Sequence, residues 1–184
     1  MKKRVVICLL VLMSLLVFSG CEKSEEKGRK SVVIYFSATG NTRTFAEKIA
    51  KKSDSDIIEI IPKEKYTDND LSYDVGSRST VEQNDSTSRP EIENKIDISK
   101  YDTVYLGFPI WWGYNPRIIY TLLDSYDFSN KKIIPFCTSG SSDIADSVIE
   151  LRKTYENLTI EDGKRFDAED TDKVVEEFVE NNKW

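Results

Sequence analysis

From Ser31 onward, short apolar runs rich in β-branched and aromatic residues alternate with amphipathic stretches, and this alternation constrains the fold more than any other feature. Val32-Val33-Ile34-Tyr35-Phe36 is a continuous apolar run, the pattern of a strand buried on both faces. Phe45, Ala46, Ile49 and Ala50 then recur at helical spacing. A second strand is expected over Ile57–Ile61, stopped by Pro62, a third over Thr103–Phe108, a fourth over Lys132–Cys137 and a weak fifth over Leu158–Ile160. Pro135 inside the fourth reads as the mark of a bulge. Asn115-Pro116 predicts a helix start, Asn as cap and Pro in the first turn, with Ile118, Ile119, Leu122, Leu123 and Tyr126 as its buried stripe. Ile144, Val148, Leu151 and Tyr155 mark another helix, and Val174, Val175, Phe178 and Val179 a last one. The long polar stretch Lys63–Ser99 predicts one helix, around Asp74–Glu82.

Strand–helix repetition of this kind requires right-handed crossovers and a parallel sheet covered on both sides. The expected class is therefore α/β, a three-layer α/β/α sandwich on a five-stranded parallel sheet. Order 2-1-3-4-5 suits five strands better than the larger six-strand dinucleotide arrangement does. In such sheets ligands bind beyond the carboxyl ends of the strands, where the strand order switches, so unusual residues are expected in the loops after strands one, three and four.

Ahead of this pattern, Lys2, Lys3 and Arg4 precede an apolar run from Val5 to Phe18. As a helix that run would span about 21 Å, short of the roughly 30 Å hydrocarbon core, which fits a signal peptide better than a transmembrane helix. Val17-Phe18-Ser19-Gly20-Cys21 resembles a bacterial lipobox, with Phe18 where Leu is usual. The expected organisation is a lipoprotein signal peptide over residues 1–20, a charged tether over 21–30 beginning at a lipidated Cys21, and one folded domain over 31–184. That places the domain on the extracytoplasmic side of a bacterial cell membrane; an ordinary secretory signal is the alternative. Loss of the first 20 residues removes three cations and no acid, taking the net charge from −6 to −9. Such acidity argues against nucleic-acid binding and against docking on anionic lipid, so attachment would rest on acyl chains.

The chain has no His, which removes Ser-His-Asp and Cys-His nucleophilic systems and His-ligated zinc. Three Cys without a CxxC pair offer no iron–sulfur or structural zinc site, and no metal ligands or catalytic residues are assigned. The acidic pairs Asp143/Asp146 and Glu176/Glu177 read as solvated helix faces. Any chemistry here is expected to use a borrowed reactive group.

Three loops qualify as its seat. Ser37-Ala38-Thr39-Gly40-Asn41-Thr42 lies between a strand and a helix, where hydroxyls and N–H groups form a phosphate cradle, although similar turns occur in unliganded proteins. No Gly-Lys-Ser/Thr follows, so it is not a nucleotide-hydrolysing P-loop. Pro109-Ile110-Trp111-Trp112-Gly113 puts two of the three Trp in a loop, to stack on a flat π-system or to form a packing corner or partner patch. Thr138-Ser139-Gly140-Ser141 with Ser142 offers small donors for a polar ring edge or for capping the next helix.

Together the loops are more specific. Gly107-Phe108-Pro109-Ile110-Trp111-Trp112-Gly113 and Phe136-Cys137-Thr138-Ser139-Gly140, with Arg89-Pro90 ahead of the third strand, make the chain resemble the flavodoxin family from about Ser31 to Asn182. The resemblance implies a flavodoxin-like fold and FMN, with the phosphate in the Ser37–Thr42 loop. It likewise implies that Pro109 to Gly113 and Thr138 to Ser141 flank the isoalloxazine ring. Ser141 stands where relatives often carry a second Gly. Arg43, just past the cradle, reads as a solvated helix position that could add long-range attraction.

The expected function is electron transfer by FMN to a redox partner protein or a small acceptor such as a quinone. An FMN-dependent NAD(P)H:quinone-type oxidoreductase is the alternative in a second class, with Tyr66, Tyr73 and Tyr114 as candidate proton donors or gates. The chain carries no G-x-G-x-x-G and no basic cluster for a second nucleotide. A flavin-free anchored binding module, recruiting a ligand or partner through Trp111 and Trp112, is the third.

Overall fold

The computed structural model describes residues 30–183. The signal segment, Cys21 and the tether up to residue 29 lie outside the described residues. The elements run β1 (Ser31–Tyr35), α1 (Asn41–Ser53), β2 (Asp56–Glu59), α2 (Arg78–Asn84), β3 (Thr103–Pro109), α3 (Ile118–Ser125), β4 (Lys132–Thr138), α4 (Ala145–Thr154), β5 (Thr159–Ile160), β6 (Lys164–Phe166) and α5 (Asp172–Asn182).

The sheet is parallel throughout, in the expected order β2-β1-β3-β4-β5, with β6 also paired to β4. Side chains alternate between its two faces as the strand period demands. Val32, Ile34 and Phe36 enter one core with Val104, Leu106, Phe108, Ile133 and Cys137, under α3 and α4. Val33 and Tyr35 enter the other with Tyr105, Ile134 and Phe136, under α1 and α5. Because both faces are covered, the central strands are apolar at almost every position. Polar residues stand only at the strand ends, and Gly107 within β3 is needed: a Cβ there would stand 2.2 Å from the Phe136 ring.

Five local expectations are corrected. The sheet has six strands, because the position of the expected fifth is split into β5 and β6, which pair with opposite ends of β4. The split accounts for Pro135, which makes no bulge. Glu161 N–H donates to Ile133 O, so Ile133 faces β5, and Pro135, two residues on, turns its missing N–H to the same side, where the row is broken. Gly163, with φ +76, passes so close there that a Cβ would lie 2.5 Å from Pro135 O.

The helix expected around Asp74–Glu82 begins later, at Arg78, because Ser77 is its cap and accepts the Thr80 N–H. Asn115 does not cap α3. It is fully buried, its amide bonds no helix N–H, and α3 starts at Ile118 after a turn in which Pro116 O accepts Ile119 N–H. The second strand ends in the ladder at Glu59, although Ile60 N–H still donates to Tyr35 O. Much of the stretch from Ile60 to Tyr101 is irregular but folded onto the β1–β3 core, through Ile60, Tyr66, Ile92, Ile96, Ile98 and Tyr101.

Candidate functional site

The carboxyl ends of β1, β3 and β4 open onto one cleft of about 830 Å³, within the ordinary size range of small-molecule sites. Thr39 and Asn41 line it from the first loop, all of Pro109–Gly113 from the second, and Thr138–Ser142 from the third. Ser37, Ala38, Gly40 and Thr42 stand behind this lining and shape it.

Gly40 takes φ +94, a conformation that glycine adopts without steric cost, and turns the chain into α1. Ser37 Oγ accepts the N–H groups of Gly40 (3.1 Å) and Arg43 (3.2 Å), and Gly40 O accepts that of Thr44 (3.1 Å). The first-turn N–H groups of Asn41 and Thr42, which have no partner inside a helix, remain at the positive end of the α1 dipole. Ala38 packs against the core. Thr42 Oγ1 and Thr138 Oγ1, both buried, hydrogen-bond each other at 2.8 Å and fasten the first loop to the third.

In the second loop, Trp111 and Tyr114 exchange backbone hydrogen bonds of 2.8 and 3.0 Å around a two-residue turn. Trp112 and Gly113 have φ +52 and +85, the pair of positive angles that defines a type I′ turn. For Gly113 this is ordinary; for Trp112 it costs on the order of 1–2 kcal/mol and marks a conformation fixed by its surroundings. Trp111 is half-buried, edge-on to Phe36 and Tyr66 with ring centroids 5.5 and 5.0 Å away. Trp112 is exposed at the rim, edge-on to Tyr73 at 5.1 Å. The loop thus offers one fixed apolar wall and one accessible indole.

In the third loop, Ser139 Oγ accepts the N–H groups of Ser141 (3.3 Å) and Ser142 (2.9 Å). None of these residues caps α4; Asp143 instead accepts Ala145 N–H at 2.9 Å. Arg165 donates to Ser139 O at 2.9 Å and holds the loop toward β6.

A fourth wall comes from residues outside the three loops. Thr44, Phe45 and Lys48 line the cleft from α1, and Phe166, Asp167, Ala168 and Asp170 line it from the segment after β6. Asn41, Thr44, Phe45 and Lys48 stand at i, i+3, i+4 and i+7, so the face could have been drawn from Asn41 by helical spacing alone. The β6 side carried no such signal, since a three-residue strand has no readable period. Lys48 pairs with Asp172 at 2.8 Å. Leu71, Tyr73 and Ser79 close the rim from the long polar segment.

Other candidates are engaged elsewhere. Arg43 pairs with Glu59 at 2.5 Å and donates to Tyr35 Oη at 3.3 Å. Tyr66 donates to Glu82 Oε2 at 2.5 Å, and burial, then this bond, push its hydroxyl well above the usual tyrosine range. It is therefore a poor proton donor. Tyr73 lines the rim, and Tyr114 closes the I′ turn. Glu176 and Glu177 pair with Lys52 and Lys173, and Asp146 is exposed.

A family model described as Flavodoxin matches residues 30–182. The chain belongs to the flavodoxin family. Among solved structures it is similar to a candidate flavoprotein from Bacteroides uniformis, at 42% identity and TM-score 0.80, over 83% of this chain and 99% of that one. A second, from Bacteroides eggerthii, stands at 39% and 0.79, over 83% and 96%. A flavoprotein from Lactobacillus acidophilus, solved in complex with FMN, stands at 26% and 0.60, over 74% and 93%. No curated protein matches the sequence at a significant level.

Proposed function

We propose that this flavodoxin binds FMN in the cleft above β1, β3 and β4 and passes electrons to and from a partner, from a domain held by a lipidated Cys21 at the outer face of a bacterial membrane. Membership of the family and the FMN-bound relative support FMN as the cofactor. The observation that carries the reading is the convergence of the three loops on one cleft with the right chemistry at each end.

At one end, the Asn41 and Thr42 N–H groups, the Thr39 and Thr44 hydroxyls and the α1 dipole suit a phosphate without a cation. At the other, Pro109, Ile110, Trp111 and Trp112 suit the face of a flat ring, and Ser139 to Ser142 its polar edge. Bound FMN supplies the redox chemistry that a chain without His and with one buried Cys beyond its tether does not. The protein's part is to grip, orient and shield. Thr42 and Thr138 keep the phosphate and ring ends in fixed relation, and Trp111, rigid against Phe36 and Tyr66, keeps water from its side of the ring.

Titration of the full chain in detergent with FMN and with riboflavin tests this, comparing wild type with Thr39→Asp. The wild type should bind both. The added carboxylate should weaken FMN at least about tenfold by like-charge repulsion and leave riboflavin unchanged. Equal FMN affinity in the two proteins would remove the phosphate from the first loop; colourless protein that ignores FMN would favour the flavin-free module. Steady NAD(P)H oxidation with a quinone would make it a reductase instead of a carrier. Fatty-acid labelling that persists in Cys21→Ser would refute the anchor.

A further inference from the structure

Outside the cleft, one polar side chain that bears on it is Gln83, near the end of α2. Its Nε2 donates to Trp111 O at 2.7 Å and to Asn115 O at 3.3 Å. Two carbonyl acceptors determine which end of the amide is nitrogen, since a half-turn would set oxygen against oxygen. The two carbonyls bracket the I′ turn that carries Trp112. Arg117 in turn donates to Gln83 O at 3.0 Å and pairs with Glu150 at 3.4 Å, so the backbone from which Gln83 reaches is itself tied down. Glu82, the neighbouring residue, holds Tyr66, whose ring lies against Trp111. A bulky residue at φ +52 needs such restraint, because nothing intrinsic to Trp favours that region.

We infer that Gln83 is a positioning residue for the ring seat: by holding the carbonyls on either side of the turn, it fixes Trp112 and Gly113 in their positive-φ form before any cofactor arrives. This rests on the FMN reading of the cleft. Gln83 does not itself line the cleft, so its effect passes through the turn. A seat ordered in advance spares binding the entropy of ordering it, and the gain falls on the ring end of the ligand, whichever flavin is offered.

The test uses Gln83→Met, which keeps volume and length but donates nothing. Affinity for FMN and for riboflavin should both fall about tenfold, with their ratio unchanged, as expected for the loss of two hydrogen bonds from a preformed seat. In the flavin-free chain, exchange of the Trp111 and Tyr114 amides should quicken at least about tenfold while that of Tyr105 and Leu106 in β3 stays as in wild type. Wild-type affinity and exchange in the variant would overturn the inference, as would faster exchange throughout β3, which marks general destabilisation. Should Gln83→Met fail to fold, Gln83→Asn, one methylene short of both carbonyls, is read in the same way. A wild-type chain that binds neither flavin defeats the FMN reading, and this inference with it, before any variant is compared.

Discussion

The smallest unit that decides the site is a pair of hydroxyls. Thr42 and Thr138 lie 96 residues apart and meet at 2.8 Å, both buried. Thr42→Val leaves Thr138 Oγ1 buried without this partner, and is expected to lower unfolding free energy by about 1–3 kcal/mol, read as a fall in urea midpoint without change in slope. Sequence could place both residues at strand tips but could not show that they bond each other, because no local pattern records a contact at that separation. The same limit applied to Asn115, which has the form of a helix cap but is buried beside Gln83. The Trp-Trp-Gly run was readable as unusual. That its first indole is wall and its second rim follows only from the I′ turn.

At the scale of elements, long apolar runs were legible and short ones were not. β1, β3 and β4 each carry a run whose only sensible fate is a doubly covered strand. The residues of β6, Lys164-Arg165-Phe166, carry two charges in three positions, and they pair only because Pro135 and Gly163 let the row restart. Gly163→Ala puts a methyl against Pro135 O in a region L-residues avoid; it should cost more than about 1 kcal/mol. Since β6 leads into the Asp167–Asp170 wall, the variant should also weaken FMN binding, and calorimetric titration beside the urea midpoint separates the two effects. The start of α2 was missed for a comparable reason: one hydroxyl, Ser77, outweighs the weak periodicity of the residues before it.

For the whole molecule, charge and the missing imidazole set the response to pH. Asp56, Asp70 and Asp172 are held below the usual carboxylate range by the Tyr101 hydroxyl, the Thr67 hydroxyl and the Lys48 ammonium respectively. What they contribute is complete above about pH 4 and is lost as pH falls and the unfolded chain takes up protons first. On the alkaline side, burial pushes the Cys137 thiol up to about 12. Its contribution is full below about pH 8.5, where an unfolded thiol begins to ionise, and is lost as pH rises toward 12. With no His between, the urea midpoint should be flat from about pH 5 to 8 and fall on both sides, and Cys137→Val should soften the alkaline fall alone.

The acidic envelope, with Asp167 and Asp170 on the cleft itself, disfavours placing further negative charge on a bound ring. Spectroelectrochemistry should therefore give a midpoint potential below that of free FMN, moving upward with salt. Strand order and the three cleft-facing loops were written in the alternation of runs, because a parallel sheet allows few alternatives. Of the fourth wall, the α1 face follows from helical spacing once Asn41 is placed, whereas β6 is a strand too short to announce itself.

The most direct measurement is the crystal structure of the chain grown with FMN. Phosphate oxygens are expected within hydrogen-bond distance of the Asn41 and Thr42 N–H groups, and the flavin ring between Pro109–Gly113 and Thr138–Ser141. Flavin bound elsewhere, or those three strand tips empty at saturating FMN, would contradict this expectation.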